Sequence, residues 1–394
     1  MKKIRICLLS FVCGLLAPIS LSAQAFEGLA LTPPMGWNSW NTFRMDINEQ
    51  LIRETADAMV SSGMKDAGYA YVVIDDGWAS GRDEEGYLIP DPERFPSGIK
   101  ALADYVHSLG LKLGIYACAG TQTCGGKPGS RGYEYQDART FARWEVDFVK
   151  YDWCHTGTQS AVDSYRTMSD AIRKAGRPMV FSICEWGKNE PWKWGEGIGH
   201  MWRTTGDIAD SWNGTFPDGS QANGLGWTQI LDMQVGLDKY AGPDHWNDPD
   251  MLIVGMGNLS PNEYRAHFTM WCMLAAPLMA GNDLRNMDKT TLDILTHDEV
   301  LEINQDHMGI QAFKVVDEGD LEVWVKDLKG EDLAICFLNR GNEDYDLTFD
   351  WEVVGLRVVY RIRDVWARKN TGNTRSFFEA TVPARDVILL RLKK

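Results

Sequence analysis

Three times along this chain a helix-like segment runs into a glycine and then at once into an apolar run. The phrases are Lys65-Asp66-Ala67-Gly68 before Tyr69 to Asp75, His107-Ser108-Leu109-Gly110 before Leu111 to Tyr116, and Lys174-Ala175-Gly176 before Pro178 to Glu185. Glycine takes the left-handed position that ends a helix, so the repeated message is helix, stop, buried strand. That alternation demands a parallel sheet with helices packed on it.

Further apolar runs extend the pattern to eight candidate strands: Pro34 to Trp37, Tyr71 to Asp75, Lys112 to Tyr116, Phe148 to Asp152, Met179 to Glu185, Met201 to Thr205, Pro243 to Trp246 and Leu274 to Ala280. Helical patterns fall at Asn48 to Ser62, Ile99 to Leu109, Gln136 to Glu145, Gln159 to Ala175, Thr228 to Leu237, Asn262 to Leu274 and Leu292 to Ile303. Eight strands with helices between them suit a closed (β/α)8 TIM barrel better than an open doubly wound sheet. No G-x-G-x-x-G follows the first strand, which argues further against a dinucleotide fold. After Gln311 the texture changes to short alternating runs, from Ala312 to Val316 through Val387 to Leu392, with turn signals such as Arg340-Gly341-Asn342 and Thr371-Gly372-Asn373. This predicts a C-terminal antiparallel β-sandwich with a structural role. A barrel of about 250 residues plus a small second domain fits 394 residues, with the parts at 1–25, 26–309 and 310–394.

Residues 1–25 read as a cleavable signal peptide, with Lys2, Lys3 and Arg5, an apolar stretch from Ile6 to Leu21, and the small-residue site Ala23-Gln24-Ala25. The apolar stretch is too short for a membrane span, and nothing later is long enough. The expected address is therefore the periplasm or the medium. Processing takes the formal charge from −15 to −18 and eight cysteines to six, since Cys7 and Cys13 leave with the leader. So acidic a chain is poorly suited to nucleic acid or anionic membranes. The remaining cysteines form no C-x-x-C cluster and there are only seven histidines, so neither a zinc site nor another cofactor is expected.

Several of the candidate strands run from apolar residues straight into acids: Ile74-Asp75-Asp76, Tyr151-Asp152, Cys184-Glu185, Gly206-Asp207 and Asn247-Asp248-Pro249-Asp250. A single acid after a strand serves equally well as a helix N-cap. Five sets converging on the C-terminal rim of one barrel, where such folds keep their chemistry, are hard to read as caps alone. The same rim carries Trp40, Trp78, Trp153, Trp186, Tyr116, Lys150 and Arg203, in a chain with sixteen tryptophans. Carboxylates that accept from hydroxyls, with indoles to cover a ring face, compose a sugar site. Two acids then remain for glycoside cleavage: an ionised one beside the anomeric carbon and a protonated one beside the leaving oxygen. Asp152 suits the first role if Lys150 keeps it ionised. For the second, Asp207, Asp210 and Asp250 all stay open on the residues alone.

The match then becomes specific. Pro34-Met35-Gly36-Trp37-Asn38-Ser39-Trp40, Ile74-Asp75-Asp76-Gly77-Trp78, Thr121-Gln122-Thr123-Cys124, Lys150-Tyr151-Asp152, Cys184-Glu185-Trp186, Trp202-Arg203 and Trp246-Asn247-Asp248-Pro249-Asp250-Met251 resemble glycoside hydrolase family 27, the α-galactosidases and α-N-acetylgalactosaminidases. The resemblance runs in unbroken order from about Leu31 to Gln305. It implies a retaining enzyme with Asp152 as nucleophile and Asp207 as acid/base. It also implies Asp75, Asp76, Lys150, Arg203 and Asp250 as sugar-hydroxyl ligands and Trp40 and Tyr116 as walls. By the same matching Glu185, in its Cys-Glu-Trp setting, meets the 2-hydroxyl as in the galactosidases, and Cys124 and Cys154 form a disulfide. The expected partner for Cys184 falls near Gly199, so Cys184 is expected to be free. Cys118 and Trp153 depart from the family pattern beside the nucleophile, and His245 is expected to be structural.

The expectation is thus a secreted, exo-acting α-galactosidase that releases terminal α-linked galactose from oligosaccharides or polysaccharides, without metal or cofactor and with homo-oligomerisation left open. The rival readings are a β-L-arabinopyranosidase or α-N-acetylgalactosaminidase on the same site, a catalytically idle galactose-binding protein, and, least in keeping with the few histidines, a metal-dependent hydrolase.

Overall fold

A computed structural model describes Phe26, residues 28–216 and residues 218–394; the leader expected at 1–25 lies outside the described residues. Eight parallel strands form one sheet: β1 Met35–Asn38, β2 Tyr71–Ile74, β3 Lys112–Cys118, β4 Phe148–Asp152, β5 Val180–Cys184, β6 Met201–Arg203, β7 Trp246–Asp248 and β8 Leu278–Ala280. Their order is β8-β1-β2-β3-β4-β5-β6-β7. Leu252, just beyond β7, bridges to Ala280 of β8 and closes the ring. The helices α1 Glu49–Ser61, α2 Gly98–Ser108, α3 Glu134–Arg143, α4 Ala161–Ala175, α5 Trp227–Asp232, α6 Pro261–Met273, α7 Lys289–Leu295 and α8 Asp298–Asn304 surround it. This is the expected (β/α)8 barrel.

The two-residue period of a strand decides where each side chain goes. Along β4, Val149 and Tyr151 belong to the core shared with the surrounding helices, whereas Phe148 packs inside the barrel with Tyr71, Val73, Val180, Met201 and Trp246. Lys150 and Asp152 share the face of Phe148, one and two steps nearer the C-terminal rim. Cross-strand register sets Cys118 beside Asp152, Asp152 beside Cys184, and Arg203 beside Asp248. The barrel interior is therefore an apolar floor under a charged mouth.

Several boundaries differ from the sequence reading. The strand expected from Pro243 begins only at Trp246, because Gly242 and His245 close a tight turn before it. His245 thus lies at the opposite end of the barrel from the acids, its Nδ1 2.9 Å from the Asp244 carboxylate. The run from Leu274 becomes a strand only at Leu278, since Leu274 caps α6 and Ala275 takes a left-handed φ of 51°. Leu292 to Ile303 is two helices broken at Thr296 and His297, and the helix expected to Leu237 stops at Asp232. Lys65 to Gly68 is a turn after α1, whereas Gly176 does cap α4 with φ 79°. A hairpin of Ala79–Arg82 with Leu88–Pro90 was not expected.

The C-terminal part holds β9 Phe313–Glu318, β10 Leu321–Asp327, β11 Leu333–Asn339, β12 Tyr345–Phe349, β13 Arg361–Asp364, β14 Lys369–Asn373, β15 Phe378–Val382 and β16 Val387–Lys393. Six make an antiparallel sheet, β9-β10-β11-β16-β13-β14, and β12 pairs with β15. The expected turn at Thr371-Gly372-Asn373 is part of β14, an exposed edge strand. Between the sheets lies a core built around Phe337, Phe349 and Trp351. The other face of the large sheet, with Trp324, Cys336, Leu338 and Leu389, is continuous with the barrel core. Helix α6 is buried from Ala266 to Met273 on every side, since it packs on the barrel and on β10, β11 and β16 at once.

At that junction Lys326 is fully buried, and its ammonium donates a single hydrogen bond, 3.0 Å, to the Cys272 carbonyl. Burial lowers its pKa to about 7, so the unfolded chain binds this proton more tightly and folding stability should rise between about pH 7 and the ordinary lysine range. Lys326→Met should abolish that rise and stabilise the protein at pH 7 by about 1 kcal/mol, roughly 1–2 °C in Tm. Thermal denaturation across that range measures both.

Candidate active site

The acids at the strand ends do converge. Asp75, which follows β2, is buried and accepts hydrogen bonds from Asn38 Nδ2 and Lys150 Nζ at 2.8 Å each on one oxygen. Its other oxygen accepts from the Asp76 amide at 2.9 Å. Asp76 in turn accepts from the amides of Gly77 and Gly125, at 2.8 and 2.6 Å, and burial raises its pKa. Gly125 leaves room for that approach: a Cβ there would lie 2.9 Å from the Asp76 carboxylate and 2.6 Å from the Met45 side chain, so one of them would have to shift. Lys150 pairs directly with Asp75, because β2 and β4 both aim these side chains at the barrel axis, while its charge also favours the ionised form of Asp152 as expected.

Asp152 ends β4 with its side chain inside the mouth. One oxygen accepts from the Trp153 amide at 2.8 Å and the other from the Tyr116 hydroxyl at 3.0 Å. Burial pushes its pKa up to about 6, against the opposing pull of Lys150 and the Trp153 amide. Arg203, 4% exposed, reaches the carboxylates of Asp250 at 2.8 Å and Asp207 at 3.1 Å. Asp250 has a left-handed backbone, φ 84°, held by its amide on Asp248 and by the Ile208 and Met251 amides on its carboxylate. Asp207 is the outermost of the set, its side chain 54% exposed. Burial opposes its ionisation, but Arg203, Lys150 and Arg44 together outweigh it and hold the carboxyl below the ordinary range.

These groups line one cavity at the mouth of the barrel. Asp152, Asp207, Asp75, Asp76, Lys150, Arg203, Asp250, Tyr116, Trp40 and Cys124 all reach it. Cys154 does not, although it is joined to Cys124 by a disulfide that ties the loop after β3 to the loop after β4. A sulfur of that bridge lies 3.4 Å from Asp152. Glu185 is also outside the lining: it is fully buried, with one oxygen held by the Asn189 amide and side chain at 2.7 Å and the other without a partner. Its neighbour Trp186, at φ 61°, takes the place on the wall.

Asp210 points elsewhere, accepting from Tyr264 and the Asn258 amide, so it leaves the contest for the acid role. Trp153 turns outward and stacks on Tyr165, ring centroids 5.6 Å apart. Only its amide faces the site, so its bulk beside Asp152 does not narrow the mouth. Cys118 is buried with its thiol 3.3 Å from the Cys154 carbonyl, and Cys184 is free. Asn41, Cys184 and Met251 complete the wall and were missed as site residues, although Asn41 follows one of the quoted motifs and Cys184 and Met251 lie within two others. Beneath, Asp248 shares a small chamber with Lys150, Arg203 and the apolar floor, where burial pushes it to about 6.

A family model described as alpha galactosidase A matches residues 32–306, and the model for the alpha galactosidase C-terminal beta sandwich domain matches residues 318–392. The chain belongs to glycoside hydrolase family 27. Among family 27 relatives, alpha-galactosidase A of Cellvibrio japonicus is 53% identical over 100% of this chain and 99% of its own. An alpha-galactosidase of Cyamopsis tetragonoloba is 49% identical over 87% of this chain and 81% of its own. The crystal structure of alpha-galactosidase I from Mortierella vinacea superposes with a TM-score of 0.89 at 39% identity, over 93% of this chain and 98% of that one. The chain is therefore a glycoside hydrolase. No helix among the described residues of this family 27 chain is long and apolar enough to cross a membrane.

The Cys124–Cys154 bridge closes a loop of 30 residues. Replacing both cysteines by serine should cost about 3–4 kcal/mol of stability by the loop-entropy estimate. Denaturant titration measures it, and activity below the unfolding transition should fall as well, because the bridge flanks Asp152.

Proposed function

We propose that this chain is an exported, exo-acting α-galactosidase that cleaves terminal α-linked galactose with retention, by double displacement. The reading rests on one observation above all. A buried carboxylate, Asp152, is oriented by Tyr116 and the Trp153 amide in the same cavity as a half-exposed one, Asp207. Asp75, Asp76, Lys150, Arg203 and Asp250 take the sugar hydroxyls, and Trp40 with Tyr116 bounds the ring. Glu185 meets the 2-hydroxyl by its unpartnered oxygen once Trp186 and the loop after β5 adjust. The gathering of these groups in a single cavity at the C-terminal rim supports exo action. Export follows from residues 1–25, and the barrel and sandwich are divided at 309/310.

In the first step Asp152 attacks the anomeric carbon and the glycosidic bond breaks, while Asp207 gives its proton to the departing oxygen. In the second, Asp207 takes a proton from water, whose oxygen displaces Asp152 and frees galactose. The competent form thus carries one proton, on Asp207. The site places that proton on Asp152 more often, since Asp152 sits near 6 and Asp207 below the ordinary range. Turnover therefore uses a minor arrangement, in which Asp207 and not Asp152 carries the proton.

Asp152→Ala should lose at least about a thousandfold in kcat/KM on an aryl α-galactoside, since no nucleophile remains. A variant that kept most activity would refute the assignment. In Asp152→Gly, azide or formate should restore some turnover. In Asp207→Ala, substrates with good leaving groups should survive best. Proton NMR of the first product should show the α-anomer; initial β-anomer would mean inversion. Galactose binding without turnover would instead support the idle sugar-binding reading.

The pH dependence has a sign that separates the two acids. The intact enzyme should lose activity above about pH 6, as the single shared proton leaves. In Asp207→Ala, with an activated aryl substrate, only ionisation of Asp152 still matters, so kcat/KM should rise through about pH 6 and level off. A fall through that range in the variant would reverse the roles.

A further inference from the structure

Asp248 takes no part in the two chemical steps above, yet its carboxyl is enclosed among the groups that do. It is the last residue of β7, is buried, and lies beside Arg203 of β6 in the cross-strand register. One of its oxygens accepts from the Asp250 amide at 2.9 Å and so helps to hold the left-handed backbone there. That bond needs an acceptor, which an asparagine would supply equally well. It does not need a buried carboxyl, which is costly to ionise away from water.

The chamber beneath the sugar pocket shows what that carboxyl faces. Its titratable and charged lining is Lys150 from β4, Cys184 from β5, Arg203 from β6, and Asp250 just beyond β7; the other strands present only neutral side chains to it. The direct ion pairs of both cations go elsewhere, Lys150 to Asp75 and Arg203 to Asp250 and Asp207. Arg203 is still incompletely matched at close range, since its buried Nε has no hydrogen-bond partner among the described residues. Asp248 therefore acts on both cations across an enclosed space where charge is poorly screened. A negative charge there offsets part of the positive potential that Arg203 and Lys150 hold over Asp207, and the proton of the catalytic pair becomes easier to keep. Burial places the Asp248 carboxyl at about 6, so the charge arrives in the range where that proton is being lost.

We propose that Asp248 is a positioning residue for the catalytic proton: acting through Arg203 from beneath the pocket, it helps the pair keep that proton and extends activity toward neutral pH. The inference rests on the Asp152 and Asp207 roles proposed above. Asp248→Asn keeps an acceptor for the Asp250 amide and removes the charge. In kcat/KM against pH on an aryl α-galactoside, the midpoint of the basic limb should move down by at least about 0.5 pH unit. The acidic limb, where Asp248 is neutral in the wild type too, should stay in place. If Asp248 only held the turn at Asp250, the whole profile would fall with both midpoints kept, and that result overturns the proposal. A basic midpoint moved upward overturns it as well. Asp248→Ser, whose hydroxyl also accepts from that amide, provides the same test where the first variant does not fold. Independently of both variants, the Arg203 Nε resonance of Asp207→Asn protein labelled with 15N-arginine should shift through about pH 6. A resonance that stays flat there overturns the proposal. Failure of the underlying catalytic reading would show differently, as an Asp152→Ala protein that keeps its activity.

Discussion

A parallel sheet closed into a ring is dry on both faces, so it can hold charge only where its strands end. Every feature of the mouth follows from that restriction. Below the rim Phe148, Val73 and Met201 line the axis with apolar side chains. One step higher on the same face, Lys150 must find a partner at once, and it finds Asp75 on the neighbouring barrel wall. Arg203 does the same with Asp250. Without those pairs two buried cations would stand uncompensated, a penalty of several kcal/mol each.

The inventory at the mouth is unequal: six carboxyls, counting Asp248, against two cations. Burial consequently raises Asp76, Asp152, Asp248 and Asp250, and only Asp207, at the outer edge and near three cationic side chains, is lowered. The excess of acceptors over donors suits a ligand that brings many hydroxyl protons and no charge. It also separates the two catalytic candidates by depth, one enclosed among dipoles and one facing solvent.

Much of this was legible in the residues. The alternation of helix, glycine and strand gave the barrel, and β4 fell where its apolar run ended. Five acid-ended runs pointed to the mouth because strand C-termini share one rim whatever the loops do. What could not be read was partner choice. Lys150 is two residues from Asp152, yet both face the axis and the ammonium reaches across to β2, a distance set by barrel geometry and not by spacing. Glu185 was placed in the pocket by its motif, but its carboxylate is held inside its own loop by Asn189, four residues on. Trp153 stood out only as a departure from the family pattern beside the nucleophile; strand alternation at the residue after Asp152 sends it outward onto Tyr165.

From Ala266 onward helix α6 has no wet side. In a free-standing barrel the outer helices keep one polar face, and that face lets the barrel be joined to other modules through a simple linker. Here Met270, Trp271, Cys272 and Met273 are all fully enclosed, with Cys336 and Trp324 of the sandwich continuing the same core. The two parts thus share one continuous apolar core across this helix, and separating them would expose it. Lineages that shuffle such barrels onto new appendages would have to rebuild this helix first.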